Sequence, residues 1–203
     1  GLEETLRADV LALLDRRPDL RVVGLADGAA EMQQMLDRIL AEVDHEGIAV
    51  DFWHVLEKLS AAVSSTGRDA KAFVSKWRNW LLDDDDAIRW ILMSLRTWAI
   101  EQPGADPPEA LRDAITYLDN NGDRMHYASR CRAKLPIGSG HVEATCKTIV
   151  AVRMKRAGSR WSVPGAQAVM HLRALATSTW WRPAMDFLMA THVHEVTAHA
   201  RAS

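Results

Sequence analysis

From Arg124 to Arg182 the chain almost lacks acidic side chains. Glu143 stands alone there against eleven Lys or Arg. Residues 1–123 are the reverse, with thirteen bases and twenty-four acids, so the formal net charge of −2 hides a strongly polarised molecule. A basic segment of this kind reads as a polyanion-binding face, and the lone carboxylate inside it needs its own explanation. Cysteine is scarce too. Cys131 and Cys146 are the only two in 203 residues, too few for a disulfide framework or a zinc cluster, which points to a reducing, intracellular home. No apolar run is long enough to span a bilayer, and no signal peptide is recognisable. Phenylalanine is rare beside eight tryptophans, which are expected in the core or lining grooves. A hydrophobic content of 48% excludes wholesale disorder and suits one domain with a real core.

Strand signals are confined to the first third. Leu2 to Arg17 has apolar residues at helical spacing and stops at Pro18. Leu20 to Asp27 is rich in aliphatic and β-branched residues and closes on Asp27-Gly28, which predicts a buried strand. A helix is expected from about Ala29 to Val43, and Gly47 to Asp51 is the second strand candidate. Helix–strand–helix–strand is the signature of an α/β unit with parallel strands. Beyond Asp51 the pattern is helical over 52–67, 69–82, 84–101, 107–120 and 122–133. The four-Asp run at 83–86 is expected as a solvated helix start, since acids favour an N-terminal turn. Pro136 to Gly140 is a glycine turn into a helix whose stripe is Val142, Cys146, Ile149 and Val150, ending at Gly158. Ser162 with Pro164 starts a last long helix to about Ser178. The fold class is therefore α/β with mostly α content.

Several residues could carry chemistry. Asp27 and Asp51 each close a predicted strand, and two parallel neighbours would open both carboxylates onto the carboxyl edge, where ligands collect in α/β sheets. Convergent oxygen ligands suit Mg²⁺. The plainer alternative is that Asp27-Gly28 is only a turn and that Asp51 only caps the next helix. His54 falls in the first turn of that helix, and could bond back to Asp51 or be a half-buried bystander. Trp53 reads as core. Glu143 sits in the first turn of its helix, where it suits the macrodipole or could be a metal ligand within a polyanion-binding face. Lys147, Arg153, Lys155, Arg156 and Arg160 follow it, with Trp161 beside the last.

Leu135-Pro-Ile-Gly-Ser-Gly-His-Val-Glu-Ala-Thr-Cys-Lys147, then Arg153-Met-Lys-Arg-Ala-Gly-Ser-Arg-Trp161, Gly165-Ala-Gln-Ala-Val169 and Leu172-Arg-Ala-Leu175, resembles the C-terminal block of bacterial insertion-sequence transposases of the Kra type. Leu25-Ala-Asp-Gly-Ala29 and Val50-Asp-Phe-Trp-His54 resemble two earlier blocks in the same order. The resemblance implies a partial ribonuclease H-like catalytic core over 1–54 and 134–182, a helical insertion over 55–133, and a tail over 183–203. It implies a DDE triad in which Asp27 is the second acid and Glu143 the third, both of them metal ligands. Asp51 and His54 match an Asp-x-x-His element.

The resemblance further implies two Mg²⁺ ions, with Mn²⁺ as a substitute, and DNA as the partner at transposon ends and target. Lys147, Arg153, Lys155, Arg156, Arg160 and Trp161 would hold that DNA. It implies a homo-oligomer working at the nucleoid in the bacterial cytoplasm. One departure stands out. No Asp precedes Asp27 at the end of a predicted strand, and residue 1 is Gly. The expectation is thus a C-terminal fragment, inactive alone because the first acid is missing. Two other readings stay open: a non-catalytic DNA-binding remnant, and a helical protein-interaction module.

Overall fold

A computed structural model describes residues 1–101, 106–155 and 158–202, with the side chains of 141–143 and 193–202 outside the description. The chain divides into two compact units, Gly1–Ser139 and Gly140–Ser203. It is mostly helical, with two parallel strands in one sheet. Among the described residues, no helix is long and apolar enough to cross a membrane.

The first unit opens with α1 (Leu2–Arg16), β1 (Gly24–Ala26), α2 (Ala30–Leu40) and β2 (Ile48–Val50). The strands pair in the register Gly24↔Ile48, Leu25↔Ala49 and Ala26↔Val50, with α2 as the crossover that a parallel pair requires. Gly24 permits this approach, because a Cβ there would lie 2.7 Å from Ile48 Cγ1. The first strand is shorter than the expected Leu20–Asp27. Among the described residues its ladder has β2 as sole partner, and β2 offers three residues. Before Gly24, the Val22 carbonyl accepts from Glu46 N–H at 2.8 Å, and Arg21 pairs with Glu46 at 2.7 Å and donates to the Ala133 carbonyl at 3.1 Å. Helix α1 buries no residue and is tied by the bidentate pairs Arg38–Glu3 to α2 and Arg7–Glu42 to the turn that follows it.

Five helices follow: α3 (Phe52–Ser65), α4 (Ala70–Asp83), α5 (Ala87–Ile100), α6 (Glu109–Asn121) and, after a 3₁₀ turn at Gly122–Arg124, α7 (Tyr127–Arg132). Their apolar faces repeat at helical spacing: Val55, Leu59 and Ala62 in α3, Trp77 and Leu81 in α4, Ile88, Ile91, Leu95 and Trp98 in α5, Leu111, Ala114 and Leu118 in α6. These faces bury together in one cluster with Val50 of β2. Trp77 and Trp98 stack at 5.5 Å, Phe73 meets Trp98 edge-on at 5.0 Å, and the Arg68 guanidinium covers Trp98 at 4.4 Å. A buried polar chain ties α2 to α6. Gln33 Nε2 donates to Asn121 Oδ1 at 2.9 Å, Asn121 Nδ2 to the Tyr117 carbonyl at 3.0 Å, and Arg124 to Gln33.

The expected helix over 122–133 is interrupted. Gly122 closes a tight turn, and His126 breaks the helical backbone before α7. The four-Asp run leads into α5 as a mostly exposed helix start, and it also closes α4: Asp83 ends α4, Asp84 accepts from Asp86 N–H, and Asp86 is the N-cap of α5, which starts at Ala87. Asp85 is taken up by distant partners, accepting from Ser129 N–H at 3.0 Å and pairing with Arg132 at 3.2 Å. From the turn between α4 and α5 it thus serves the Ser129 N–H in the first turn of α7.

The second unit contains α8 (Gly140–Cys146), a π-helical stretch at Lys147–Ala151, α9 (Val152–Met154), α10 (Val163–Ala176) and α11 (Trp181–Ala202). The expected single helix to Gly158 with a 3.6-residue stripe is corrected here. The wide turn breaks the period after Cys146, and the helix stops at Met154. Arg173 of α10 donates to the Ile149 carbonyl at 2.8 Å and the Thr148 carbonyl at 2.6 Å. It holds a turn whose own bonding is poorer than an α-helix's. Ser162 caps α10, accepting from Gly165 N–H at 3.2 Å, with Pro164 in the first turn. None of this unit's described side chains is fully buried.

Candidate functional site

Asp27 and Asp51 each lie one residue beyond a strand, and Ala26 and Val50 are register partners. Both residues therefore stand at the carboxyl edge of the sheet. Asp51 N–H donates to the Ala26 carbonyl at 2.7 Å, which extends the ladder to that edge. From this shared position the two carboxylates go to different uses.

Asp51 is buried, at 7% exposure. Its Oδ1 accepts from Trp53 N–H at 2.8 Å and His54 N–H at 3.1 Å, which caps α3. Its Oδ2 accepts from both Ser139 N–H and Ser139 Oγ at 2.5 Å. Four donors fill the two lone-pair positions of each oxygen. Burial alone would push the Asp51 carboxyl up. The bonds from Ser139, His54 and Trp53 outweigh that and hold it below its ordinary value. Ile137 completes the junction, its carbonyl accepting from Phe52 N–H at 2.9 Å. Gly138 sits against Trp53, where a Cβ would lie 2.8 Å from Cδ1. Trp53 is thus a half-exposed plate under a glycine turn, not the core residue expected.

Asp27 is exposed. Its Oδ1 accepts from Ala29 N–H at 3.0 Å, and among the described residues no other donor reaches the carboxylate. Its backbone is held more firmly. Tyr117 Oη donates to the Asp27 carbonyl at 2.7 Å. Gly28, at φ +92°, lies so close to that ring that a Cβ would be 2.7 Å from Tyr117 Cε2. Burial, with the charges of Asp27 and Asp51, pushes the Tyr117 hydroxyl up. Tyr127 does the same service at β2, donating to the Val50 carbonyl at 3.0 Å and meeting Phe52 edge-on at 5.0 Å. The chain has two tyrosines, and both bond a carbonyl at the carboxyl end of a strand.

His54 is half-buried. Its Nδ1 is 3.7 Å from Glu57, and its ring meets Tyr117 edge-on at 5.9 Å. Lys58, one turn further, lies 5.7 Å from the centre of the same ring. Lys58, Tyr117 and Ser139 are the site's neighbours that sequence pattern does not single out. A signal for Lys58 exists, because residues 51, 54 and 58 share a helical face. The glycines flanking Ser139 mark a close approach, but nothing local in the sequence names its partner. Tyr117 carries no signal at all.

The basic stretch is divided by its partners. Arg130 is buried and donates to the Glu46 carbonyl at 3.2 Å, and burial pulls its guanidinium down. Arg124 and Arg132 are engaged with Gln33 and Asp85, and Arg173 with the π-helical carbonyls. Lys147, Arg153, Lys155 and Arg160 are exposed. Arg153 lies over Trp161 at 5.6 Å. Arg156 lies outside the described residues, and Glu143 is described in its backbone alone, within α8. Among the described residues, no three His, Cys, Asp or Glu side chains cluster as a metal site. Asp27 fits as one oxygen ligand, being exposed with an oxygen to spare. Asp51 does not fit, since its acceptor positions are occupied.

Compared with known proteins, the chain matches no family model, no curated sequence and no solved structure.

Proposed function

We propose that the chain is the C-terminal part of a DDE transposase with a ribonuclease H-like core, acting on DNA in the bacterial cytoplasm as a homo-oligomer. The observation that carries this reading is the register that brings Asp27 to the carboxyl edge of a parallel pair, with one carboxylate oxygen free of donors among the described residues. Asp27 and Glu143 would hold Mg²⁺ or Mn²⁺. When bound, the metal supplies Lewis-acid polarisation of the phosphodiester and lowers the pKa of an attacking water or 3′-hydroxyl. Lys147, Arg153, Lys155, Arg156 and Arg160 hold phosphates, and Trp161 backs Arg153. Asp51, in this reading, is a structural acid that fixes the start of α3 and the turn at Ser139. His54 and Lys58 face the Tyr117 ring on the Asp27 side of α3.

The test is Mg²⁺-dependent strand cleavage by the full-length enzyme. Asp27→Asn and Glu143→Gln are each expected to abolish it, and unchanged cleavage by either sinks the assignment. The 203-residue chain itself should bind duplex DNA with an affinity that falls steeply with salt. Replacing Lys147, Arg153, Lys155 and Arg160 by Ala should weaken binding and lower the salt slope by about one for each phosphate no longer neutralised.

One observation favours a second reading, a non-catalytic DNA-binding module: the second carboxylate of the sheet edge is fully consumed by hydrogen bonds. Salt-dependent DNA binding by the full-length protein without metal-dependent cleavage would select it.

A further inference from the structure

We infer that Tyr117 is a positioning residue for the Asp27 carboxylate, so that the helical segment after β2 sets the geometry of the sheet-edge site. The inference rests on Asp27 as a metal ligand. Three interactions converge on residues 27–29. The Tyr117 hydroxyl holds the Asp27 carbonyl at 2.7 Å. The Tyr117 ring fills the space where any side chain at residue 28 would stand, at 2.7 Å from a Cβ. The Ala29 N–H holds Asp27 Oδ1 at 3.0 Å.

The first two fix the backbone from which the carboxylate hangs, and the third fixes its rotation. Oδ2 is then the oxygen left without a donor among the described residues. Without the hydroxyl the Asp27 carbonyl loses its hydrogen bond, because β1 ends at Ala26 and among the described residues no ladder bond reaches the Asp27–Gly28 peptide. The tyrosine comes from α6, ninety residues along the chain. Asn121, one turn further on the same helix, bonds both the Tyr117 carbonyl and Gln33 of α2. The ring is therefore anchored to the crossover helix that follows Asp27.

The experiment uses the 203-residue chain and Mn²⁺ alone. Amide signals of Gly28 and Ala29 are followed by nuclear magnetic resonance as Mn²⁺ is titrated into the millimolar range, and paramagnetic broadening reports the affinity. In the wild type these signals should broaden selectively. Asp27→Asn should abolish the effect; equal broadening in Asp27→Asn defeats the metal-ligand reading itself. Tyr117→Phe keeps the ring and removes the hydroxyl. It should weaken Mn²⁺ by about tenfold, the usual scale for losing a group that orients a ligand. Wild-type affinity in Tyr117→Phe, with Asp27→Asn inactive, overturns the inference and leaves the reading standing. Gly28→Ala pushes on the ring from the other side and should weaken Mn²⁺ in the same way, and an unchanged affinity there counts equally against the inference.

Discussion

Removing the Asp51 carboxylate should be among the most damaging single changes to the first unit. Asp51→Ala deletes four hydrogen bonds at once. Loss of the α3 cap costs about 1 kcal/mol. Hydrogen bonds to a charged group contribute roughly 1.5–3 kcal/mol each, and the Ser139 N–H is left without its acceptor. The expected total is about 3–5 kcal/mol, against roughly 5–15 kcal/mol for the whole stability of a domain. Urea denaturation followed by circular dichroism measures it, with unchanged slope and a lower midpoint. Ser139→Ala alone removes the Oγ bond and should cost about 1–2 kcal/mol. The two changes should not add, because both delete the same hydrogen bond.

The pH dependence has a definite sign. The folded Asp51 carboxyl lies below its ordinary value. Its contribution is therefore present above the unfolded pKa of about 3.9 and is lost as pH falls through the lower folded value. The stability gap between wild type and Asp51→Asn should shrink over that acid range and stay constant near neutrality. A cost under about 1 kcal/mol for Asp51→Ala, or full additivity with Ser139→Ala, would refute the four-bond account.

Three other outcomes are expected. Gly28→Ala forces a left-handed φ on a residue with a Cβ and drives it into Tyr117; it should lower stability by about 2–4 kcal/mol in denaturant titrations. Trp77→Ala opens a cavity beneath Trp98 and Phe73; a loss of about 3–5 kcal/mol is expected from the same measurement. Arg173→Ala frees the Thr148 and Ile149 carbonyls; helix content of the second unit should fall, seen as faster amide exchange over residues 147–154, whereas Arg160→Ala should leave exchange unchanged and weaken DNA binding.

What could be read from the sequence was what repeats locally. Short aliphatic runs closed by Asp27-Gly28 and by Asp51 marked the two strands, and helical spacing marked the helices that bury Leu59, Trp77, Ile91 and Leu111. Strand length was not legible, because the extent of β1 is set by the three residues of its partner. The π turn was hidden for the same reason, since Arg173, which holds its carbonyls, comes from another helix. At the site, the sequence pattern brought Asp27 and Asp51 to one edge, but could not say that Ser139 would occupy Asp51 or that Tyr117 would hold Asp27. Those are choices of partner across 88 and 90 residues. Composition misled in one respect. Eleven bases read as one surface, yet Arg130 is buried and Arg124, Arg132 and Arg173 are engaged by specific acceptors.

The pairing of both tyrosines with strand-end carbonyls also equips the molecule with an optical gauge. Burial pushes both phenols up from their ordinary value of 10.0, Tyr127 more than Tyr117. A freed phenol loses its proton near pH ~10, whereas the folded ones keep theirs, so alkali favours the unfolded chain. With no other tyrosine to contribute, the ultraviolet band of tyrosinate should stay silent as pH rises past about 10. It should then emerge in one step, at the pH where the carboxyl edge of the sheet comes apart.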